Sequence, residues 1–146
     1  ILDLPKTLEV LETLGVPVIA YGQAQLPAFW SRDAGLAAPL RADTAAEIAR
    51  AQRMRAALGL PGGQLVANPI PVEAEIPRSE MDPIIARAMT DAATHRITGK
   101  AVTPYLLQRI YELTGGRSLE ANIALVLNNA RLGAAIAREL ASLPAT

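Results

Sequence analysis

Asn122 and Asn129 stand seven residues apart in the stretch Ser118-Leu119-Glu120-Ala121-Asn122-Ile123-Ala124-Leu125 and its continuation to Asn128-Asn129-Ala130. At 3.6 residues per turn that spacing puts both amides on one face of a helix, with Leu125 between them. Asparagine is an indifferent helix former, and an amide buried without a partner costs roughly 1–3 kcal/mol, so the pair calls for a reason. Either the amides bridge to neighbouring backbone, or Asn122 meets a ligand near a helix N-terminus. There, free N–H groups and the helix dipole favour an anion such as phosphate. Asn68 is a third amide of interest: it closes an apolar run directly before Pro69. Ligands of open α/β sheets gather outside the carboxyl ends of strands, although a turn-forming asparagine explains the position as well. Gly115-Gly116-Arg117-Ser118 reads either as an anion-binding nest or as a glycine-terminated helix meeting a serine-capped one.

Other reactive side chains are scarce. The chain has no cysteine, which removes disulfides, thiolate catalysis and cysteine–zinc sites from it. The single histidine, His95, excludes a multi-histidine metal centre within the chain and reads as a surface residue favoured by a helix C-terminus. The only lysines are Lys6 and Lys100. A Schiff-base lysine needs a desolvated setting; Lys6 falls off the Leu4/Leu8/Leu11 face and Lys100 follows a loop glycine, so both read as solvated. Asp3 reads as a helix cap rather than a metal ligand. No nucleophile triad, paired-carboxylate site or metal cluster emerges.

These candidates must be positioned by a chain of 146 residues, a length that suits one domain. Fourteen basic and fourteen acidic residues cancel, leaving no electrostatic reason to expect a nucleic acid polymer as partner. Arginine outnumbers lysine twelve to two, as in GC-rich genomes. Hydrophobic residues make up 51% and charged residues 19%, a globular composition, and no apolar run approaches the ~20 residues of a membrane helix. Leu4, Leu8, Leu11 and Leu14 carry helical spacing up to Gly15, and Val16 to Tyr21 reads as a short buried strand. A further extended piece is expected near Leu40. Thr44 and Glu47 have capping-box spacing at the head of a helix running to about Leu58. Gln64 to Asn68 reads as a second buried strand. A helix from about Ser79 to Thr94 is expected with Met81, Ile84, Ile85, Ala88 and Met89 on its core face and Pro83 in its first turn. Thr103 is expected to cap a helix through Leu113, and Ser118 a last one over 119–143. Helices alternating with two or three short strands predict an α/β layered arrangement. So few strands make a poor sheet by themselves.

Several strings resemble one family in order along the chain. They are Ile1 to Pro17, Leu26-Pro27-Ala28-Phe29, Val66-Ala67-Asn68-Pro69-Ile70-Pro71, Thr103-Pro104-Tyr105-Leu106-Leu107, and Leu113 through Gly115-Gly116-Arg117-Ser118 to Val126, with Asn128-Asn129-Ala130. They look like the C-terminal half of pseudouridine-5'-phosphate glycosidase, also called indigoidine synthase A. The resemblance implies an α/β/α sandwich to which residues 1–146 contribute helices and two or three strands of a single larger domain. It implies reversible cleavage of the C–C glycosidic bond of pseudouridine 5'-phosphate to uracil and ribose 5-phosphate through a lysine imine. A carbon–carbon bond offers no leaving heteroatom to protonate, so an imine electron sink takes the place of paired carboxylates.

The resemblance further implies a divalent metal, such as manganese, and a homotrimer. It places the imine lysine, the acidic proton donor and the metal-binding aspartate upstream of Ile1, so the N-terminal half is an expected partner and the chain alone is expected to be inactive. The family's active-site asparagine matches Asn122, expected here as the catalytic residue. Asn68, Lys100 and Asn129 are expected substrate-binding residues, and no metal ligand is expected in the chain. The chain starts Ile-Leu-Asp-Leu, without an initiator methionine or signal-peptide pattern, which suits a piece of a longer, cytoplasmic enzyme. Competing readings are a sugar-phosphate-binding or interaction module without catalysis, and a purely structural protein.

Overall fold

Local signals set most element boundaries in the computed structural model, which describes residues 3–144. Asp3 caps helix α1 (Leu4–Thr13), its Oδ1 accepting from the Lys6 N–H at 3.2 Å. Strand β1 (Val18–Tyr21) follows, and residues 22–39 form a long irregular connection to β2 (Leu40–Ala42). Thr44 and Glu47 close a reciprocal capping box at the head of α2 (Ala45–Ala57). Then come β3 (Leu65–Ala67), a proline-rich segment with a 3-10 turn at Val72–Ala74, and α3 (Arg78–Thr94). A second 3-10 turn, Gly99–Ala101, leads into α4 (Val102–Leu113), and α5 (Arg117–Ser142) ends the described chain.

The strands form a parallel sheet in the order β2-β1-β3, with Ile19 opposite both Leu40 and Val66. The sequence explains the order. Val18, Ile19 and Ala20 are all buried, as a central parallel strand requires, whereas Leu40 and Leu65 on the flanking strands are exposed. Ile19, Ala42 and Ile48 form a small core with Val66 and Ile136, which places α2 and the second half of α5 over one sheet face. Arg53 of α2 reinforces that layer by donating to the Leu140 carbonyl at 3.1 Å. The larger core lies beyond the sheet, where Met81, Ala88, Leu106, Ile110, Ala121 and Leu125 join α3, α4 and the first half of α5 around Trp30. This is the α/β arrangement expected, a small parallel sheet flanked by helices. No described helix is long and apolar enough to cross a membrane.

Five expectations are corrected. The strand expected to be buried over 64–68 is the edge strand β3, where Leu65 is exposed and Val66 and Ala67 are half-buried, because only one side of it pairs. Met89 is 54% exposed, because the buried stripe of α3 runs through Met81, Ala88 and Ala92 and leaves Met89 one residue past it. Pro83 is the sixth residue of α3 and not in its first turn, so it withholds the N–H that would meet the Ser79 carbonyl. Thr103 does not cap α4: the preceding 3-10 turn runs straight into the helix, moving its start to Val102 with Ala101 as cap. Ser118 is not a cap either. Gly116 holds that position at φ +93°, and Ser118 is a buried residue of the helix.

Candidate functional site

Two connections leaving the carboxyl edge of the sheet are fastened together by polar side chains. From the connection after β1, the Arg32 guanidinium donates to the Ile70 carbonyl at 2.6 Å, and the Arg32 N–H donates to Glu75 Oε1 at 2.8 Å. Ser31 Oγ donates to the Ile76 carbonyl at 2.7 Å, and the Ile76 N–H returns a bond to the Trp30 carbonyl at 2.9 Å. Gln23, just past β1, donates to the Arg32 carbonyl at 2.6 Å. These bonds satisfy backbone groups that an irregular buried segment would otherwise leave unpaired. They also hold Trp30 in place, with its indole N–H donating to the Ser118 carbonyl of α5 at 3.1 Å.

Trp30 thereby becomes a wall of a cavity of about 370 Å³ that Phe29, Leu107, Tyr111, Leu119 and Asn122 also line. Three of the chain's five aromatic residues line it. Phe29 and Trp30 meet edge to face with ring centroids 4.6 Å apart. Asn122 is half-buried there, and among the described residues its carboxamide has no hydrogen-bond partner. An amide that can both donate and accept, set between apolar aromatic walls, suits a flat polar ligand whose edge needs orienting.

The other asparagines have hydrogen-bond partners within the chain. Asn68 Nδ2 donates to Asn129 Oδ1 at 3.1 Å, and Asn128 Nδ2 donates to the Pro69 carbonyl at 3.1 Å, so α5 is tied to the turn that leaves β3. Asn122 lies two turns away along α5, about 10 Å. The structure thus brings Asn68 and Asn129 together and sets Asn122 apart from them. Lys100 is exposed in its 3-10 turn and does not line the cavity. Lys6 is exposed beside its partner Asp3.

The expectation of free N–H groups at the head of α5 is corrected. Gly115 and Gly116, with φ of +59° and +93°, fold the chain back so that their amides donate to the Glu112 and Tyr111 carbonyls of α4. The Arg117 N–H donates to the Thr114 carbonyl, the Ser118 N–H to Thr114 Oγ1, and the Leu119 and Glu120 N–H groups to the Gly116 carbonyl. No nest is left open for an anion among the described residues. The Arg117 side chain pairs with Glu80 of α3, and the hydrogen bond to that carboxylate raises its pKa.

On the other side of α4, Asp91, His95, Tyr105, Gln108, Arg109 and Glu112 line a second cavity, of about 370 Å³. Its charges are matched internally. Arg109 donates to Asp91 at 2.7 Å and to Glu112 at 2.9 Å, and the hydrogen bonds to Asp91 and then Glu112 raise its pKa. Hydrogen bonds from Gln108 and then Arg109 hold Glu112 below the usual carboxylate range. His95 ends α3 with Nδ1 2.7 Å from the Asp91 carbonyl, at the helix C-terminus as expected. This network fastens α3 to α4. Among the described residues no three His, Cys, Asp or Glu side chains converge as a metal would need, so these residues do not by themselves fit a metal site.

Sequence reading singled out Asn122 but missed the walls of its cavity. Phe29 entered only within a matching string, and Trp30 did not enter at all. A lone tryptophan beside a lone phenylalanine, in a chain this poor in aromatics, was the available signal.

The comparisons with known proteins follow the same lines. A family model described as indigoidine synthase A like protein matches residues 1–139. The pseudouridine-5'-phosphate glycosidase of Paracoccus denitrificans (strain Pd 1222) is 70% identical over 142 residues, which are 97% of this chain and 47% of that protein. That of Solibacter usitatus (strain Ellin6076) is 61% identical over 140 residues, 96% of this chain and 47% of the relative. The chain therefore spans about half the length of the curated relatives it matches. Among solved structures, the prealnumycin C-glycosynthase AlnA in complex with ribulose 5-phosphate superposes with a TM-score of 0.88 at 32% identity, over 97% of this chain and 47% of that one. An indigoidine synthase A-like protein from Thermotoga maritima superposes at 0.82 with 34% identity, over 94% and 45%.

Proposed function

The chain belongs to the indigoidine synthase A-like family, and from that premise we propose that it is the C-terminal part of a pseudouridine-5'-phosphate glycosidase. The observation that carries this reading is the 70% identity to a protein of that name along nearly the whole chain. The likeness to a C-glycosynthase holding a sugar phosphate supports the same bond type, a carbon–carbon glycosidic link. In the complete enzyme a lysine outside this chain adds to C1 as the ring C1–O bond opens, giving an amine that still carries uracil. Breakage of the C1–uracil carbon bond, with a proton delivered to the uracil carbon, then releases uracil and leaves the imine at C1. Hydrolysis of the imine then frees ribose 5-phosphate. A divalent metal, manganese on the family resemblance, is held by residues outside this chain, and three copies assemble.

This chain supplies Asn122 as the catalytic residue. Its unpartnered carboxamide is free to take a hydrogen bond from one part of the substrate and give one to another, and the aromatic walls restrict how a ring can approach. Asn68 and Asn129, bonded to each other at the turn after β3, and Lys100 are the proposed substrate-binding residues.

The test is a comparison of this chain, the upstream half and their mixture, each incubated with pseudouridine 5'-phosphate and Mn2+ while uracil is quantified. Turnover from the mixture or the full-length polypeptide, with none from this chain, is the expected result. Turnover by this chain alone, or none by the full-length polypeptide, overturns the division of labour.

A further inference from the structure

Helix α5 carries no charged side chain from Ala121 to Ala130, although half of that stretch lies at the surface. One side packs inward through Ala121 and Leu125. The other presents Leu119, Ile123, Val126 and Leu127, each between 49% and 56% exposed. Leu119, Ile123 and Leu127 stand four residues apart and Val126 three after Ile123, which aligns these four side chains as one stripe. A solvated helix face carries charged or polar residues, whereas this face is apolar along the stripe. At Leu119 the stripe meets the rim of the Asn122 cavity, where Phe29, Leu107 and Tyr111 are also 41–45% exposed. Together they form an apolar patch on the order of several hundred Å², the size at which a surface marks an interaction site.

We infer that this stripe is the seat of the upstream half of the same polypeptide, which closes the open side of the Asn122 cavity. The inference rests on the proposal that the chain is part of a longer enzyme, and the relatives supply about as much chain again to cover the face. A second copy is the weaker occupant on composition. Subunit interfaces keep a polar rim, and ten consecutive residues without a charge match the inside of a domain.

The absence of cysteine in this chain makes the test clean. In the full-length protein, any upstream cysteine having been replaced, Ile123→Cys and Leu127→Cys are each treated with a maleimide. Thr90→Cys, on the exposed side of α3, serves as control. Protection of both stripe positions by about 100-fold relative to the control, unchanged on dilution until the protein is monomeric by sedimentation, is the expected result. Two positions are used so that one misfolded variant does not decide the matter. Labelling at the control rate overturns the inference, as does protection that vanishes on dilution, which would assign the face to a second copy. An intact mass near 15.4 kDa for the natural protein would instead overturn the underlying reading of a longer enzyme, and with it this one.

Discussion

Replacing Asn122 by alanine separates a substrate contact from a structural one. The carboxamide is half-buried, faces the cavity and has no hydrogen-bond partner among the described residues, so its removal breaks no internal bond and orphans no buried group. Alanine is the better helix former, by a few tenths of a kcal/mol at a mid-helix position. The stability of Asn122→Ala should therefore lie within about 0.5 kcal/mol of the parent, displaced toward greater stability. If the amide bonds to charge developing in the reaction, its loss costs about 1.5–3 kcal/mol, or roughly 10- to 150-fold in kcat/KM. The assay pairs urea unfolding of the full-length protein with uracil release from pseudouridine 5'-phosphate. Destabilisation beyond about 1.5 kcal/mol with turnover intact would refute the reasoning, because the asparagine would then be a core polar contact.

Trp30→Phe should behave in the opposite way: the indole hydrogen bond to Ser118 and part of the packing are lost from a side chain 4% exposed, costing about 1–3 kcal/mol in urea unfolding. Gly116→Ala forces a side chain to φ +93° and should cost about 1–2 kcal/mol, measured the same way. A double-mutant cycle on Asn68→Ala and Asn129→Ala should give a coupling of about 0.5–1 kcal/mol, reporting their mutual hydrogen bond. Glu112 has a folded pKa below its ordinary value of 4.5, so its contribution is present above that value and is lost as pH falls through the lowered one. Stability followed by circular dichroism should decline on that acid side, and Glu112→Gln should make the decline shallower.

Much of the fold was legible because its signals are local. The Thr44/Glu47 capping box, the Asp3 cap and the unbroken run Val18-Ile19-Ala20 each specify their element from within a few residues. The errors fall where tertiary structure overrides a local rule. Ser118 and Thr103 have capping chemistry, but the glycine pair and the 3-10 turn move the helix starts upstream of them. Met89 has the right spacing for a core face, but that face is set by where α4 packs. The site divides similarly. Asn122 stood out as an amide in apolar company, while its aromatic walls come from residues 29–30 and 107–119, joined by the packing of Trp30 in the core and its indole hydrogen bond to Ser118, with Ser31 and Arg32 fastening the first segment to residues 70–76. No spacing rule encodes such a junction.

The most direct test of the account is chromatographic: the full-length polypeptide is incubated with pseudouridine 5'-phosphate and Mn2+, and the products are separated and identified. The account requires uracil and ribose 5-phosphate in equal amounts, with both suppressed in Asn122→Ala. Unchanged substrate under conditions where the protein is folded and assembled would contradict it.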